Sequence, residues 1–398
     1  MKKVLAMFLC IVMLCTLTAC GGQSESGGEE EGEKVFVIGA PQPLTGTNAN
    51  AGIDGVNAIK LAVDQINAAG GLLGYKVEVV TYDDQGSPEE AVKITSKMIE
   101  VDHVNAVIGS CISSCVLSSS GALNDAKIPT FGTGTSPTWM QQGWEYVFRA
   151  CQNADFALPT VVDYLNKLEI RSIAIFAGQD DAAVAASQTM QDLCAEAGIK
   201  VLDVESYVDG DTDFSGQCAK IIESDAEVVF FATFGSTQPL IVKQLRQYGF
   251  DGLIFSKDLL QADSISIAGD ASNYVGFAYP YLTYTDLEAC TVDNVYAFLE
   301  AYVEAYGEFP NTDVAYRAYD SMMVLKTAVE AAGSIDGEKV KDAINGTTDY
   351  IGLGGTFDYS QGDGEGLHNC SVFVVVDGSY ILFDEWISSG GYDEWLTR

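Results

Sequence analysis

The chain has 398 residues, 47% of them hydrophobic and 19% charged, and a formal charge of −35 at neutral pH. That length can bury a large core and supports two domains. So negative a chain repels phosphate backbones and anionic lipid surfaces, which excludes nucleic acid as a partner.

The first element is a leader. Lys2 and Lys3 precede the apolar run Val4–Leu17, which is shorter than the ~20 residues a spanning helix needs and reads as a secretion signal. Leu17-Thr18-Ala19-Cys20 resembles a bacterial lipobox, which implies cleavage after residue 19 and lipidation of Cys20. The glycine, serine and glutamate run Gly21–Glu33 reads as a flexible tether. The mature chain is therefore expected at the extracytoplasmic face of the cell membrane, attached only through the Cys20 lipid.

From Lys34 onward strand and helix signals alternate. Val35–Ile38 predicts a buried strand; Ile53, Val56, Ile59, Val63 and Ile66 predict one helical face, ended by Gly70-Gly71. Val77 and Val79 predict a strand, and Ser87-Pro88-Glu89-Glu90 a capping box opening a helix to about Glu100. Strands follow at Val104–Gly109, Pro129–Phe131, Tyr146–Phe148 and Ser172–Phe176, then a helix at Ala183–Ala197 and a strand at Val201–Tyr207. Next come helix Ser215–Glu223, strand Val228–Phe234, helix Pro239–Tyr248 and strand Leu253–Ser256. The last third predicts helices at Asp293–Tyr306, Val314–Ala332 and Gly337–Ile344, then a hairpin of Ser371–Val376 and Tyr380–Phe383 around Asp377-Gly378. Repeated strand–helix units define an α/β protein of parallel sheets flanked by helices. Breaks near Cys151–Ala157 and Tyr279–Asp286 divide it into two lobes.

Seven of the ten cysteines lie beyond Cys20, an odd number that leaves a thiol unpaired in a monomer, and most read as small buried residues. Cys111-x₃-Cys115 lacks the further ligands a zinc site needs; Asp83-Asp84 invites a metal reading, yet neither a metal nor another cofactor is expected. Cys115 or Ser113 as a nucleophile would need a base, and no catalytic signature surrounds His103 or His368, so the chain is not expected to be an enzyme.

Two loops have the composition of an anion site: Ser110–Ser114 and Thr133-Gly134-Thr135-Ser136 each follow a strand and offer hydroxyls and backbone N–H groups at a helix start. Plain helix capping is the alternative reading of both.

In order, Ile66-Asn67-Ala68-Ala69-Gly70-Gly71, Val79–Asp84, Pro88–Ala91 and Val107-Ile108-Gly109 with its serine-rich loop resemble the type 1 periplasmic binding proteins of branched-chain amino acid ABC importers. The resemblance implies two Rossmann-like lobes, about 34–154 with 284–356 and 155–283 with 357–398, closing over a ligand in the central cleft. It implies a monomer that captures an amino acid, of branched-chain type first, and delivers it to ABC permease and ATPase subunits. By the family pattern Ser113 and Thr135 hold the ligand carboxylate, while the Thr133 carbonyl and Asp258 receive its ammonium. Phe234 falls at a tyrosine near the ligand, and Asp155, or Asn153, at an acid of the first lobe crossing. Asp258 is one methylene shorter than the glutamate of Leu/Ile/Val binders. The rings that flank the aliphatic side chain fall on Ala51 and Ala182, which leaves room or asks for a ring from elsewhere, such as Trp139. The family's cysteine pair falls on Gly86 and Ile112. A larger or aromatic amino acid, another small carboxylate or amide, or sensing without transport, are the alternatives.

Overall fold

The computed structural model describes residues 34–398 apart from 153, 209, 234–236, 291, 369–370 and 398. The leader, Cys20 and the tether lie outside the described residues, as do Asn153, Phe234 and the side chain of Asp155. Among the described residues no helix is long and apolar enough to cross a membrane.

The first half alternates as expected: β1 (Val35–Gln42), α1 (Ala49–Ala68), β2 (Lys76–Asp83), α2 (Pro88–Glu100), β3 (Ala106–Ile108), α3 (Ser113–Asp125), β4 (Thr130–Gly132) and β5 (Val147–Arg149). These strands form one parallel sheet in the order β2-β1-β3-β4-β5. The central β1 is buried on both faces, which is why its sequence runs apolar without alternation. Half of the expected capping box forms: Pro88 opens α2 and Ser87 Oγ accepts from the Glu90 N–H at 3.5 Å, whereas the Ser87 N–H goes to Asp84 O at 2.8 Å and the Glu90 carboxylate to Lys93.

The second half continues with α4 (Ala154–Lys167), β6 (Ser172–Gly178), α5 (Asp181–Ala197), β7 (Lys200–Tyr207), α6 (Ser215–Glu223), β8 (Val228–Ala232), α7 (Thr237–Gln247), β9 (Leu253–Ser256), α8 (Ala262–Ala268) and β10 (Val275–Tyr279). Then come α9 (Asp293–Tyr306), α10 (Val314–Ala332), α11 (Gly337–Asn345), β11 (Tyr350–Gly352), β12 (Gly355–Phe357), β13 (Ser371–Val376), β14 (Ser379–Leu382), α12 (Phe383–Ser388) and α13 (Gly391–Leu396). The second sheet runs β14-β13-β10-β9-β8-β6-β7, parallel from β6 to β10, with the β13–β14 hairpin added antiparallel at β10. Asp377 and Gly378 both take positive φ, the geometry a two-residue hairpin turn requires.

Several elements depart from expectation. Helix α4 has no counterpart among the expected helices, because Pro159 inside it masks the helical pattern. Strand β10 carries Gly276, whose absent side chain makes room for the Phe255 ring: a Cβ there would lie 2.9 Å from it. Helix α1 buries Val56, Ile59, Val63 and Ile66 but leaves Ile53 outside. Its first turn packs instead through Gly52 onto the Pro43 backbone and through Asp54 onto the segment before α10.

Asp54 is fully buried and accepts from Thr312 N at 2.6 Å, Thr312 Oγ1 at 2.9 Å, Tyr302 Oη at 3.3 Å and Asn311 Nδ2 at 3.4 Å. Burial outweighs these bonds and pushes its carboxyl up to about 7. An unfolded aspartate titrates near ~3.9. The folded chain therefore holds a proton that the unfolded chain has released, and this stabilisation is complete below about pH 4 and lost as pH rises through about 7. Urea midpoints measured from pH 4.5 to 7.5 should fall more steeply for the wild type than for Asp54→Asn; equal slopes would contradict this assignment.

Candidate functional site

The carboxyl ends of both sheets meet at a cavity of about 160 Å³. Ser113, Ser114 and Thr135 line it from the first sheet, Asp180, Ala182 and Lys257 from the second, and Arg317 from α10. Strand ends at the junction of open α/β sheets are where such folds bind ligands.

The Ser113 wall is built by α3. Its Ncap residue, Ile112, has no side chain that can cap, and α3 carries no side-chain cap bond. Helix geometry leaves the first-turn N–H groups without an intrahelical acceptor, and the dipole adds positive potential there. Ser113 Oγ does not serve as the cap; it accepts from Ser136 N at 3.2 Å across the two loops. The loops approach so closely because residue 134 is glycine: a Cβ there would fall 2.6 Å from Ser113 Oγ.

The Thr135 loop is held from below by Arg149, which had no place in the sequence-based site. Its buried guanidinium donates to Thr135 O at 3.0 Å and Ser136 O at 2.6 Å, pairs with Glu365 at 3.3 Å, and lies 4.1 Å from the Trp139 ring centre. Trp139 is therefore no wall of the cleft. It is buried with Val116 and Val147. Of the two alanines at the family's ring positions, Ala182 lines the cavity and Ala51 packs against Cys111 and Val314.

The carbonyl of Thr133 is engaged by Arg317, itself a lining side chain. Arg317 Nη1 donates to it at 2.8 Å, and the Cys151 thiol reaches it at 3.6 Å. Arg317 also pairs through Nε with Asp313 Oδ2 at 2.5 Å and donates to Tyr279 Oη, which itself donates to Asp313 at 2.6 Å. Burial works against that guanidinium's charge, yet Asp313 and its neighbours hold its pKa well above the ordinary value. Asp258 is buried; its Oδ2 pairs with Lys257 Nζ, and its Oδ1 has no partner among the described residues. Lys257 Nζ also donates to Thr135 Oγ1 at 3.3 Å. Lys257 and Arg317, like Arg149, were not singled out from the sequence; for Lys257 the adjacent Asp258 was the available signal.

The described mature cysteines, Cys111, Cys115, Cys151, Cys194, Cys218 and Cys290, are buried free thiols. Burial pushes Cys115 up to about 12 and Cys151 to about 11, so neither offers a thiolate nucleophile at neutral pH. Gly86 and Ile112, where the family pair falls, do face each other, with Ile112 Cγ1 3.9 Å from an ideal Cβ on Gly86. The neighbouring acids are structural: Asp83 accepts from Leu44 N, Thr45 Oγ1 and Gln85 N, and Asp84 from Gly86 N. No cluster that could hold a metal ion occurs among the described residues.

Residues 36–379 match the periplasmic binding protein family, and the chain belongs to it. It is similar to an amino acid binding protein of Pseudomonas aeruginosa, 29% identical over 60% of this chain and 64% of that relative. A leucine-, isoleucine-, valine-, threonine- and alanine-binding protein of the same organism is 26% identical over 77% of this chain and 81% of its own. Among solved structures, a leucine-binding protein of Thermotoga maritima superposes with a TM-score of 0.76 at 26% identity, covering 87% of this chain and 97% of its own.

Arg149→Met removes the donors that hold Thr135 and Ser136 and leaves Glu365 facing an apolar side chain. Breaking such a buried pair costs roughly 3–5 kcal/mol. Urea unfolding should register a loss of that order, and a change below about 1 kcal/mol would contradict the role given to Arg149.

Proposed function

We propose that this chain is an extracytoplasmic solute-binding protein that captures a small carboxylate by cleft closure and delivers it to an ABC permease and its ATPase. The observation that carries the reading is the cavity itself: Ser113 and Thr135 line it together beside the uncapped start of α3. Hydroxyls, free N–H groups and a positive helix end are what a carboxylate needs to offset its desolvation. The names of the relatives make an amino acid of branched-chain type the first ligand to test. Another small carboxylate is the second reading, favoured by the engagement of Thr133 O with Arg317 and of Asp258 with Lys257. Thiols pushed up by burial favour binding over nucleophilic catalysis.

Closure would join a lobe of 34–154 with 284–356 to one of 155–283 with 357–398. Strand membership supports that division, since β1–β5 precede residue 150 and β6–β10 fall between 172 and 279. The protein would act as a monomer tethered by the Cys20 lipid, within reach of its transporter.

Thermal-shift screening of amino acids, amides and short carboxylic acids should find a stabilising ligand. At a hundred times its Kd that ligand adds about 2.7 kcal/mol. Ser113→Ala and Thr135→Ala should each weaken it about tenfold, or ~1.4 kcal/mol. Stabilisation by no carboxylate, or unchanged affinity in both variants, would sink the reading. For the anchor, Cys20→Ala should move the chain from the membrane fraction to the soluble one, and retention there would refute lipid attachment.

A further inference from the structure

We infer that Lys257 is a specificity-determining residue that occupies the ligand-ammonium position, and that the ligand is a carboxylate without an α-ammonium. The inference rests on the carboxylate reading of Ser113 and Thr135. An amino acid needs two opposite partners, donors for its carboxylate and acceptors for its ammonium. The acceptors at that position are Thr133 O and Asp258, and the chain's own cations already bond to Thr133 O and to one oxygen of Asp258, leaving Oδ1 without a partner among the described residues. Thr133 O takes Arg317 Nη1 at 2.8 Å, and the Cys151 thiol stands 3.6 Å from it and 3.7 Å from Gly134 O, sharing its one proton between them. Asp258 Oδ2 takes Lys257 Nζ.

Lys257 is 6% exposed, so its charge is a feature of the site and not of the surface. Its ammonium bridges Asp258 and Thr135 Oγ1, the latter at 3.3 Å. Thr135 is one of the two hydroxyls assigned to the ligand carboxylate, so Lys257 stands where that carboxylate ends and an ammonium would begin. A zwitterion entering here must displace Lys257 from Asp258 or place a second ammonium beside it, and burial makes either expensive. A carboxylate with no ammonium meets neither obstacle and gains a charge-assisted bond. Lys257 offsets the acid at the ammonium position, while Asp180, the other acid of the cavity wall, is engaged through Oδ1 in capping α5 at the Ala183 N–H, 3.0 Å away.

Size narrows the class. The cavity of about 160 Å³ is close to the ~150 Å³ that accepts benzene. With Ala182 in its wall, it suits a branched aliphatic or single-ring acid.

Matched pairs test this on the purified full chain by calorimetric titration: L-leucine against 4-methylpentanoate, and L-phenylalanine against 3-phenylpropanoate. The wild type should bind the member lacking the ammonium at least tenfold more tightly. Lys257→Met should reverse the order, and Asp258→Asn, which keeps the lysine charge, should preserve it. Tighter wild-type binding of the amino acids, or an unchanged ratio in Lys257→Met, overturns the inference while leaving carboxylate capture intact. Binding of neither member of either pair, with no other carboxylate active, overturns both. Should Lys257→Met fail to fold, the wild-type and Asp258→Asn ratios decide.

Discussion

A buried guanidinium is tolerable only when its donors find acceptors and its charge finds a partner. Arg317 meets that condition by drawing three separate pieces of chain together: the Thr133 carbonyl after β4, Asp313 at the start of α10, and Tyr279 at the end of β10. The first belongs to one sheet and the last to the other. Displacing any of them would strand a charge, so the relative position of the two strand ends is closely constrained. Arg149 repeats the device one loop further on, holding Thr135 and Ser136 with Glu365 as counter-charge and Trp139 beneath. The hydroxyls that line the cavity thus stand on a frame of buried ions.

That frame explains why the site can be small and polar at once. Loops that line a cleft are ordinarily the mobile part of an α/β fold. Here the loop from Thr133 to Ser136 has three carbonyls held by guanidinium groups, those of Thr133, Thr135 and Ser136. Gly134 lets it close on Ser113. Donors fixed before the ligand arrives need not be ordered on binding, and that ordering is one of the main costs of association.

Much of the fold was legible because its signals are local. The helix cap at Ser87, the hairpin turn at Asp377-Gly378 and the helices Asp293–Tyr306 and Val314–Ala332 depend on residues a few positions apart. Elements went unread where a tertiary contact outweighs the local pattern: Pro159 within α4, Gly276 under the Phe255 ring, Ile53 turned outward by the packing of Gly52 and Asp54. The site divides in the same way. Ser113 and Thr135 stand out as hydroxyls in loops after strands, and the structure brings both to one cavity. Arg149, Arg317 and Lys257 look like ordinary surface cations in the sequence, and only the fold reveals that each is buried with a partner. An acid such as Asp258 can be read from a family pattern, but not the neighbour that neutralises it.

The strongly acidic composition and the proposed capture of a carboxylate are compatible because they act over different distances. The formal charge of −35 is spread along the chain, and surface charges are screened beyond about 8 Å at physiological ionic strength. Inside the cleft the screening is weak, and the nearest charged groups are few: Lys257 with Asp258, Arg317 with Asp313, and Asp180 in the wall. Their balance, together with the α3 terminus, sets what the site accepts, whatever the sign of the molecule around it. Net charge, the first thing a composition reveals, therefore excludes polyanionic partners without excluding a small anion. The substitution that matters for ligand choice is one lysine against an exposed acidic background.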